Sequence, residues 1–275
     1  MCTLVCDWSP GSTVPVRMLA LRDEFASRSF DLPSAWWPAQ PRLVGGRDRL
    51  GGGTWCATDV RSGATAVVLN RPERRQAAAG APSRGALPLL ALDRLGDWPA
   101  AVELAGMASF NLVLATGTEL IWWSYDGTTL DRVELPAGCH AFTPRGLAEL
   151  PEAGFAEVPP GPALLAETSA AETSAAQAST AQASTAQAST DQTPTEQAWS
   201  GWLPLLRQCL PSSDPQALLV RIPIGEDSFE TVFGQFIAAR PGQLRLDYLR
   251  TPDAGGQWTT ARWLVDGDLA RLAGS

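Results

Sequence analysis

The chain has 275 residues and a formal net charge of −8, from 29 acidic and 21 basic side chains. Such an acidic balance excludes a general nucleic-acid binder or a protein of anionic membrane surfaces. All 21 basic residues are Arg, which excludes Schiff-base chemistry on Lys and a P-loop Lys, and the single His140 excludes a metal site built on two His.

The five Cys residues are odd in number and scattered, and none of them forms a C-x-x-C pair. We therefore expect neither a structural zinc nor a disulfide framework, and no resident cofactor. The first residues lack the basic and apolar regions of a signal peptide, and no apolar run is long enough to cross a bilayer. These features predict a cytoplasmic protein without stable membrane insertion.

The first 158 residues predict a succession of strands. Strand-like patterns cover 3–8 and 14–21, and the second ends in Arg22-Asp23-Glu24; a polar, Trp-rich passage and a glycine-dense turn at 45–53 follow. Further strands are predicted at 54–59 and 64–69, helices at 86–95 and 99–107, and a three-stranded meander at 110–115, 119–125 and 128–135.

Residues 159–197 form a low-complexity segment of Ala, Ser, Thr and Gln, with three consecutive Ala-Gln-Ala-Ser-Thr units at 176–190. This composition predicts a disordered insertion. The tail, 198–275, predicts a helix at 198–210 and strands at 228–238, 243–249 and 257–265, and is expected to complete the same domain. Runs of strands with grouped helices favour an α+β fold.

Cys2 is the residue that most directly suggests a reaction. If Met1 is removed, Cys2 carries both a thiol with a pKa of about 8.5 and an α-amine with a pKa of about 8, so the amine can accept the thiol proton. Antiparallel pairing brings the end of the next strand close, where Arg22 can favour the thiolate and Asp23 can hold the ammonium form of the amine.

The remaining conspicuous side chains have structural interpretations. Most of the 11 Trp residues are expected in the core or at an interface, although the pairs at 36–37 and 122–123 also suit a ligand platform. His140 is expected to be a hydrogen-bonded structural residue rather than a haem or metal ligand. Cys6, Cys56 and Cys209 are expected to be buried, inert thiols.

Seven short motifs occur in order over roughly the first 115 residues. They are Met-Cys-Thr-Leu-Val (1–5), Ala-Leu-Arg-Asp-Glu-Phe (20–25), Gly-Arg-Asp (46–48), Gly-Gly-Thr-Trp (52–55), Asn-Arg-Pro (70–72), Ser-Arg-Gly (83–85) and Phe-Asn-Leu-Val (110–113). In this order the chain resembles the NRDE family, also known as the transport and Golgi organisation protein 2 family.

The resemblance implies an Ntn-hydrolase-like α+β fold, a four-layer αββα sandwich of two antiparallel sheets. It implies Cys2 as the nucleophile, Arg22 and Asp23 as the residues that orient and charge it, and Asn70 as an oxyanion donor. Asn111 is a weaker oxyanion candidate and is expected to be structural.

The chain departs from the family pattern at three places. Leu21 stands where the family motif begins with Asn, residues 139–145 contain no Asn, and residues 233–236 lack an Arg. Two hypotheses remain. One is a cysteine amidohydrolase acting on a carbon–nitrogen bond of a small substrate; the alternative is a non-catalytic protein that handles haem or lipid on the same fold.

Overall fold

A computed structural model describes residues 2–73, 76–148, 198–215, 217–250, 259–260 and 264–265. The described strands, in chain order, are β1 (Cys2–Trp8), β2 (Val16–Phe25), β3 (Phe30–Ser34), β4 (Leu43–Asp48), β5 (Cys56–Asp59), β6 (Thr65–Asn70), β7 (Phe110–Ala115), β8 (Leu120–Tyr125), β9 (Leu130–Glu134), β10 (Gly138–Thr143), β11 (Gly146–Ala148), β12 (Arg221–Ile224), β13 (Asp227–Arg240), β14 (Gln243–Arg250), β15 (Thr259–Thr260) and β16 (Leu264–Val265). The described α-helices are α1 (Leu87–Arg94) and α2 (Trp202–Gln208), and short 3-10 helices cover Arg84–Ala86 and Leu95–Ala101.

The strands form two antiparallel sheets. In the first, the order is β11-β10-β1-β2-β13-β14-β15, with β12 beside β13 and β16 beside β14. In the second, β3 to β9 follow one another in chain order. The fold of the described residues is therefore α+β and rich in sheet, with few helices.

The inner faces of the two sheets pack against each other. Successive side chains of a strand alternate between its faces, and Leu4 and Cys6 of β1 lie in one buried apolar cluster with Val67 and Val113 of the second sheet. Burying a side chain of this size stabilises the fold by roughly 1.5–3 kcal/mol. This shared core fixes the end of β1 against the second sheet.

Each sheet also packs a helix against its outer face. Val5 of β1 shares a second apolar cluster with Trp202 and Leu206 of α2. On the second sheet, Leu112 of β7 lies in a third cluster with Ala91 of α1. Each sheet thus packs against one short helix among the described residues.

Much of the predicted secondary structure is confirmed. The strands at 3–8, 54–59, 64–69, 228–238 and 243–249, the meander with its turns near Gly117 and Gly127, and the helices at 86–95 and 198–210 all correspond to described elements, with shifted ends. Trp98, Trp123, Trp199 and Trp202 are fully buried, as expected for core residues. Of the strand predicted at 257–265, only 259–260 and 264–265 lie within the described residues, and the predicted insertion lies outside them.

The second predicted strand, which ends in Arg22-Asp23-Glu24, is confirmed as β2, and it continues to Phe25 because β13 pairs with it up to Phe229. Two predictions of local structure were wrong. The helix at 99–107 is replaced by a 3-10 helix that ends at Ala101, and Gly106, near the end of the predicted helix, adopts a non-helical φ of +80°.

The glycine-dense turn is shorter than predicted. Gly45 and Gly46 belong to β4, and the turn begins only after Asp48. A Cβ on Gly46 would collide with the ring of Trp55, so this strand position requires glycine because an aromatic ring packs directly on the backbone.

No helix among the described residues is long and apolar enough to span a membrane.

Candidate active site

Cys2 and Arg22 lie directly opposite each other in the ladder between β1 and β2. Residues opposite each other in an antiparallel pair share one face of the sheet, and this face is the one packed against the second sheet. Cys2 is buried, with 7% of its surface exposed, and Arg22 retains 3%. The pairing therefore brings a thiol and a guanidinium together inside the molecule.

A cavity of about 140 Å³ opens at this point, and Cys2, Arg22, Asp23 and Asn70 all line it. The structure thus brings together the four residues that the sequence singled out as catalytic candidates. Three lie on β1 and β2 of the first sheet, whereas Asn70 ends β6 of the second sheet. The cavity lies between the two sheets at one end of their strands.

Two aromatic rings and an ion pair hold the guanidinium of Arg22. Its Cζ lies 4.6 Å from the ring centroid of Trp55 and 5.1 Å from that of Phe30. Its Nη2 donates to Oδ2 of Asp48 at 3.0 Å. Its buried Nη1 has no hydrogen-bond partner among the described residues. A buried donor without a partner is costly, and here it belongs to a side chain that lines the cavity.

Asp23 is a buried carboxyl group with a shifted pKa. Burial raises its pKa to about 6, against an opposing effect from Thr231, whose hydroxyl donates to Oδ1 at 2.7 Å. Thr231 of β13 pairs with Asp23 of β2. The register of this ladder then shifts, because the next residue of β13 that pairs with β2 is Phe233, opposite Arg22. Such a bulge bends the strand locally.

Burial also raises the pKa of the Cys2 thiol. The backbone N–H of Asp23 and the positive charge of Arg22 act in the opposite direction, but do not outweigh the desolvation. The thiol is therefore protonated at neutral pH in this environment, and a nucleophilic thiolate requires a base that accepts its proton.

Asn70 faces the cavity from the opposite sheet. It pairs with Phe110 at the end of the ladder between β6 and β7, and it is half-buried. Within the described part of the chain, its side-chain amide makes none of the hydrogen bonds that hold the neighbouring residues. Its amide therefore lies at the cavity without a hydrogen bond to another described residue.

Sequence reasoning did not assign a role to four further charged residues of the cavity, which are Glu24, Arg28, Asp48 and Arg84. Asp48 binds Arg22 and also accepts from Arg28 Nε at 2.7 Å. Asp48 belongs to the Gly-Arg-Asp motif and Arg84 to the Ser-Arg-Gly motif, both of which carried the family resemblance. This motif membership is the signal that could have identified them.

The segment that carries Arg84 is held by a close approach of two backbones. The N–H of Thr54 donates to the carbonyl of Gly85 at 2.8 Å. A Cβ on Gly53 would overlap the backbone of Gly85, so only glycine allows this contact. The Gly-Gly-Thr-Trp motif therefore positions the Arg84 segment at the cavity.

Several other sequence predictions have a direct structural outcome. Nε2 of His140 is 2.8 Å from the carbonyl of Pro136, which confirms a hydrogen-bonded residue. Asn111 is buried and structural: it donates to the carbonyls of Thr143 and Pro144 and accepts from Trp122.

The cysteines other than Cys2 differ in burial. Cys6 and Cys56 are buried, as expected, whereas Cys209 is only half-buried, because it lies just after the last turn of α2. Within the described ranges, no group of three or more His, Cys, Asp or Glu side chains is placed to hold a metal ion.

The family model described as Transport and Golgi organisation 2 matches residues 1–223, which include all four predicted site residues. No curated protein matches the chain.

Proposed function

Because this chain belongs to the Transport and Golgi organisation 2 family, we propose that it hydrolyses a carbon–nitrogen bond of a small amide substrate, with Cys2 as an N-terminal nucleophile. The observation that carries the proposal is the convergence of Cys2, Arg22, Asp23 and Asn70 on one cavity. These residues supply a nucleophile, a fixed cation, a buried carboxylate and an amide donor, which are the groups that acyl transfer requires.

The reaction begins with removal of Met1, which gives Cys2 a free α-amine. The amine takes the proton from Sγ, and the thiolate attacks the carbonyl carbon, so that an S–C bond forms and the carbonyl oxygen becomes an oxyanion. When the intermediate collapses, the C–N bond breaks and the leaving amine takes the proton from the α-ammonium. Water then attacks the thioester and gives a proton to the α-amine. The S–C bond breaks, the carboxylic acid leaves, and the thiolate takes the proton from the α-ammonium, which restores the thiol and the free amine.

Each of the other three residues has a defined role in this scheme. The Nη1 of Arg22 stabilises the thiolate, and the buried carboxylate of Asp23 holds the α-ammonium. The amide of Asn70 donates to the oxyanion from the opposite sheet. Loss of one such donor lowers the rate by ~10²–10³-fold.

The proposal extends to the architecture. We propose that the two sheets are the inner layers of a four-layer αββα sandwich; the three apolar clusters, one between the sheets and one under each helix, support it. Residues 1–158 and 198–275 would then form one domain interrupted by 159–197. Free cysteines support a reducing compartment such as the cytoplasm.

A second candidate function is that of a non-catalytic protein for an apolar ligand such as haem or a lipid. A mainly apolar pocket of about 390 Å³, lined by Phe25, Ile222 and Phe229, supports this candidate because it offers space beside the Cys2 cavity. The two functions differ in their dependence on the thiol, since binding alone does not require Cys2.

The test is amine release from a panel of small amides by the wild-type protein and two variants. Cys2→Ala is expected to abolish turnover, whereas Cys139→Ala, which removes a half-buried thiol outside the cavity, is expected to retain it. Full turnover by Cys2→Ala contradicts the proposal. Saturable quenching of Trp fluorescence by haem or an acyl ligand, unchanged in Cys2→Ala and without amide turnover, favours the second candidate.

A further inference from the structure

A second pocket adjoins the Cys2 cavity, and its wall is largely apolar. Its volume is about 390 Å³. The apolar side chains that line it are Phe25, Pro72, Pro144, Ile222, Ile224 and Phe229. Phe25 and Phe229 make an edge-to-face contact with a centroid separation of 5.6 Å, and both Phe25 and Ile224 are exposed. The pocket is therefore accessible and suited to an apolar group.

The second pocket and the Cys2 cavity meet at shared side chains. Glu24, Asn70 and Arg84 line both spaces. A molecule whose reacting carbonyl lies at Cys2 therefore passes these three residues before its remaining part reaches the apolar wall. Of the three, Arg84 is the side chain with the capacity to bind an anion.

Arg84 is a cation whose charge is not paired within the described residues. Its Nη1 donates to the carbonyl of Ser109 at 3.0 Å, and none of the described ion pairs includes it. The other Arg of the second pocket, Arg71, binds Glu73 at 2.6 Å. Glu24 lies near Arg84, but its carboxylate is within ion-pair distance of Arg22 and Arg28, at 3.6 and 3.5 Å.

Burial lowers the pKa of Arg84, yet a guanidinium stays charged in a protein. A partly buried cation with no ion-pair partner among the described residues is unfavourable unless an anion completes it. A carboxylate matches the planar donors of a guanidinium and forms charge-assisted hydrogen bonds with it.

We propose that the substrate is a small amide that carries both a carboxylate and an apolar group, of the size of an N-acylated amino acid. Arg84 binds the carboxylate, the second pocket holds the apolar group, and the amide carbonyl lies at Cys2. This inference rests on the proposed function, and it names the substrate class of the same site.

The test measures binding separately from turnover. In the Cys2→Ala background, isothermal titration compares N-acetylphenylalanine with N-acetylphenylalaninamide, which differ only in the charge of one group. The acid is expected to bind ~10–100-fold more tightly, the range of a charged hydrogen bond. N-acetylglycine, which lacks the apolar group, is expected to bind at least tenfold more weakly than N-acetylphenylalanine.

Three further substitutions test whether Arg84 causes the preference for the acid over the amide. Arg84→Gln is expected to abolish the preference for the acid, whereas Arg84→Lys, which keeps a positive charge, retains a part of it. Arg94→Gln removes the same charge from an exposed site on α1 that does not line either space, and is expected to leave the preference unchanged.

Equal affinity for the acid and the amide, no binding of either, or a preference that survives in Arg84→Gln would overturn the inference. The proposed function fails separately. Wild-type protein that binds the acid through Arg84 but cleaves no amide supports the recognition and contradicts hydrolysis. Wild-type protein that cleaves neutral and anionic amides with equal kcat/KM supports hydrolysis and overturns the recognition.

Discussion

Replacing Asp23 with Asn is expected to change how the stability of the fold depends on pH. Burial raises the pKa of Asp23 from 3.8 to about 6. Between these values the folded chain binds a proton that the unfolded chain has released, so the free energy of unfolding falls as the pH rises. Because Asn cannot ionise, the free energy of unfolding of Asp23→Asn does not show this decrease.

The size of the effect follows from the shift. One pKa unit corresponds to about 1.4 kcal/mol, so a rise from 3.8 to about 6 corresponds to about 3 kcal/mol. Part of this energy is already lost at pH 4, so the free energy of unfolding of Asp23→Asn minus that of the wild type should increase by about 2 kcal/mol from pH 4 to pH 7. Taking this difference cancels the titration of the other carboxyl groups, which both proteins share.

Urea unfolding followed by Trp fluorescence at several pH values between 4 and 7 measures this difference. Asp131→Asn removes one negative charge at an exposed position of β9 and controls for the change in net charge. A difference between Asp23→Asn and the wild type that stays constant, or that decreases as the pH rises, would refute the account of Asp23 as a buried, desolvated carboxyl group.

Two further substitutions test how the charges around the fold are paired, both by urea unfolding. Trp199→Phe removes the indole N–H that donates to the buried carboxylate of Asp247 at 2.6 Å. Trp199→Phe should lower the free energy of unfolding by roughly 2 kcal/mol more than Trp98→Phe does, because the buried Nε1 of Trp98 has no hydrogen-bond partner within the described residues. Equal losses in the two variants would contradict this. Asp48→Asn breaks the ion pair with Arg22 and should lower the free energy of unfolding by about 2 kcal/mol near neutral pH. The loss is smaller than for a fully buried ion pair because Asp48 is only partly buried. Because the Arg neighbours lower the pKa of Asp48, this cost should shrink as the pH falls below about 4, and a cost independent of pH is the contrary result.

The sequence predicted those strands and helices in which the apolar residues of the local pattern are also the residues buried in the structure. Residues 110–115 form a short, mostly apolar run followed by the turn residues Thr116 and Gly117, and β7 occupies this range as a fully buried strand in the structure. In contrast, β3 and β4 were not predicted. Their passage is rich in Trp, Pro and Gly, and what holds it in a sheet is tertiary: the ring of Trp55 packs on Gly46, a contact that no local pattern encodes.

The candidate site shows the same division. The opposition of Cys2 and Arg22 follows from two consecutive antiparallel strands and could be predicted. The approach of Asn70 and Arg84 could not, because it depends on how the second sheet packs against the first. The family resemblance pointed to Asn70, whereas Arg84 had no assigned role. A raised pKa of Asp23 likewise depends on burial that becomes visible only in three dimensions.

The central claim is that Cys2 is an N-terminal nucleophile, and the most direct test is the intact mass of the protein before and after brief treatment with iodoacetamide at neutral pH. Burial raises the pKa values of Cys6 and Cys56, and that of Cys139 to about 11, so these thiols should react slowly. The account predicts a mass without Met1 and one rapid alkylation that maps to Cys2, because the freed α-amine accepts the thiol proton although burial also raises the pKa of this thiol. A retained Met1, or a Cys2 that reacts no faster than the other cysteines, would contradict it.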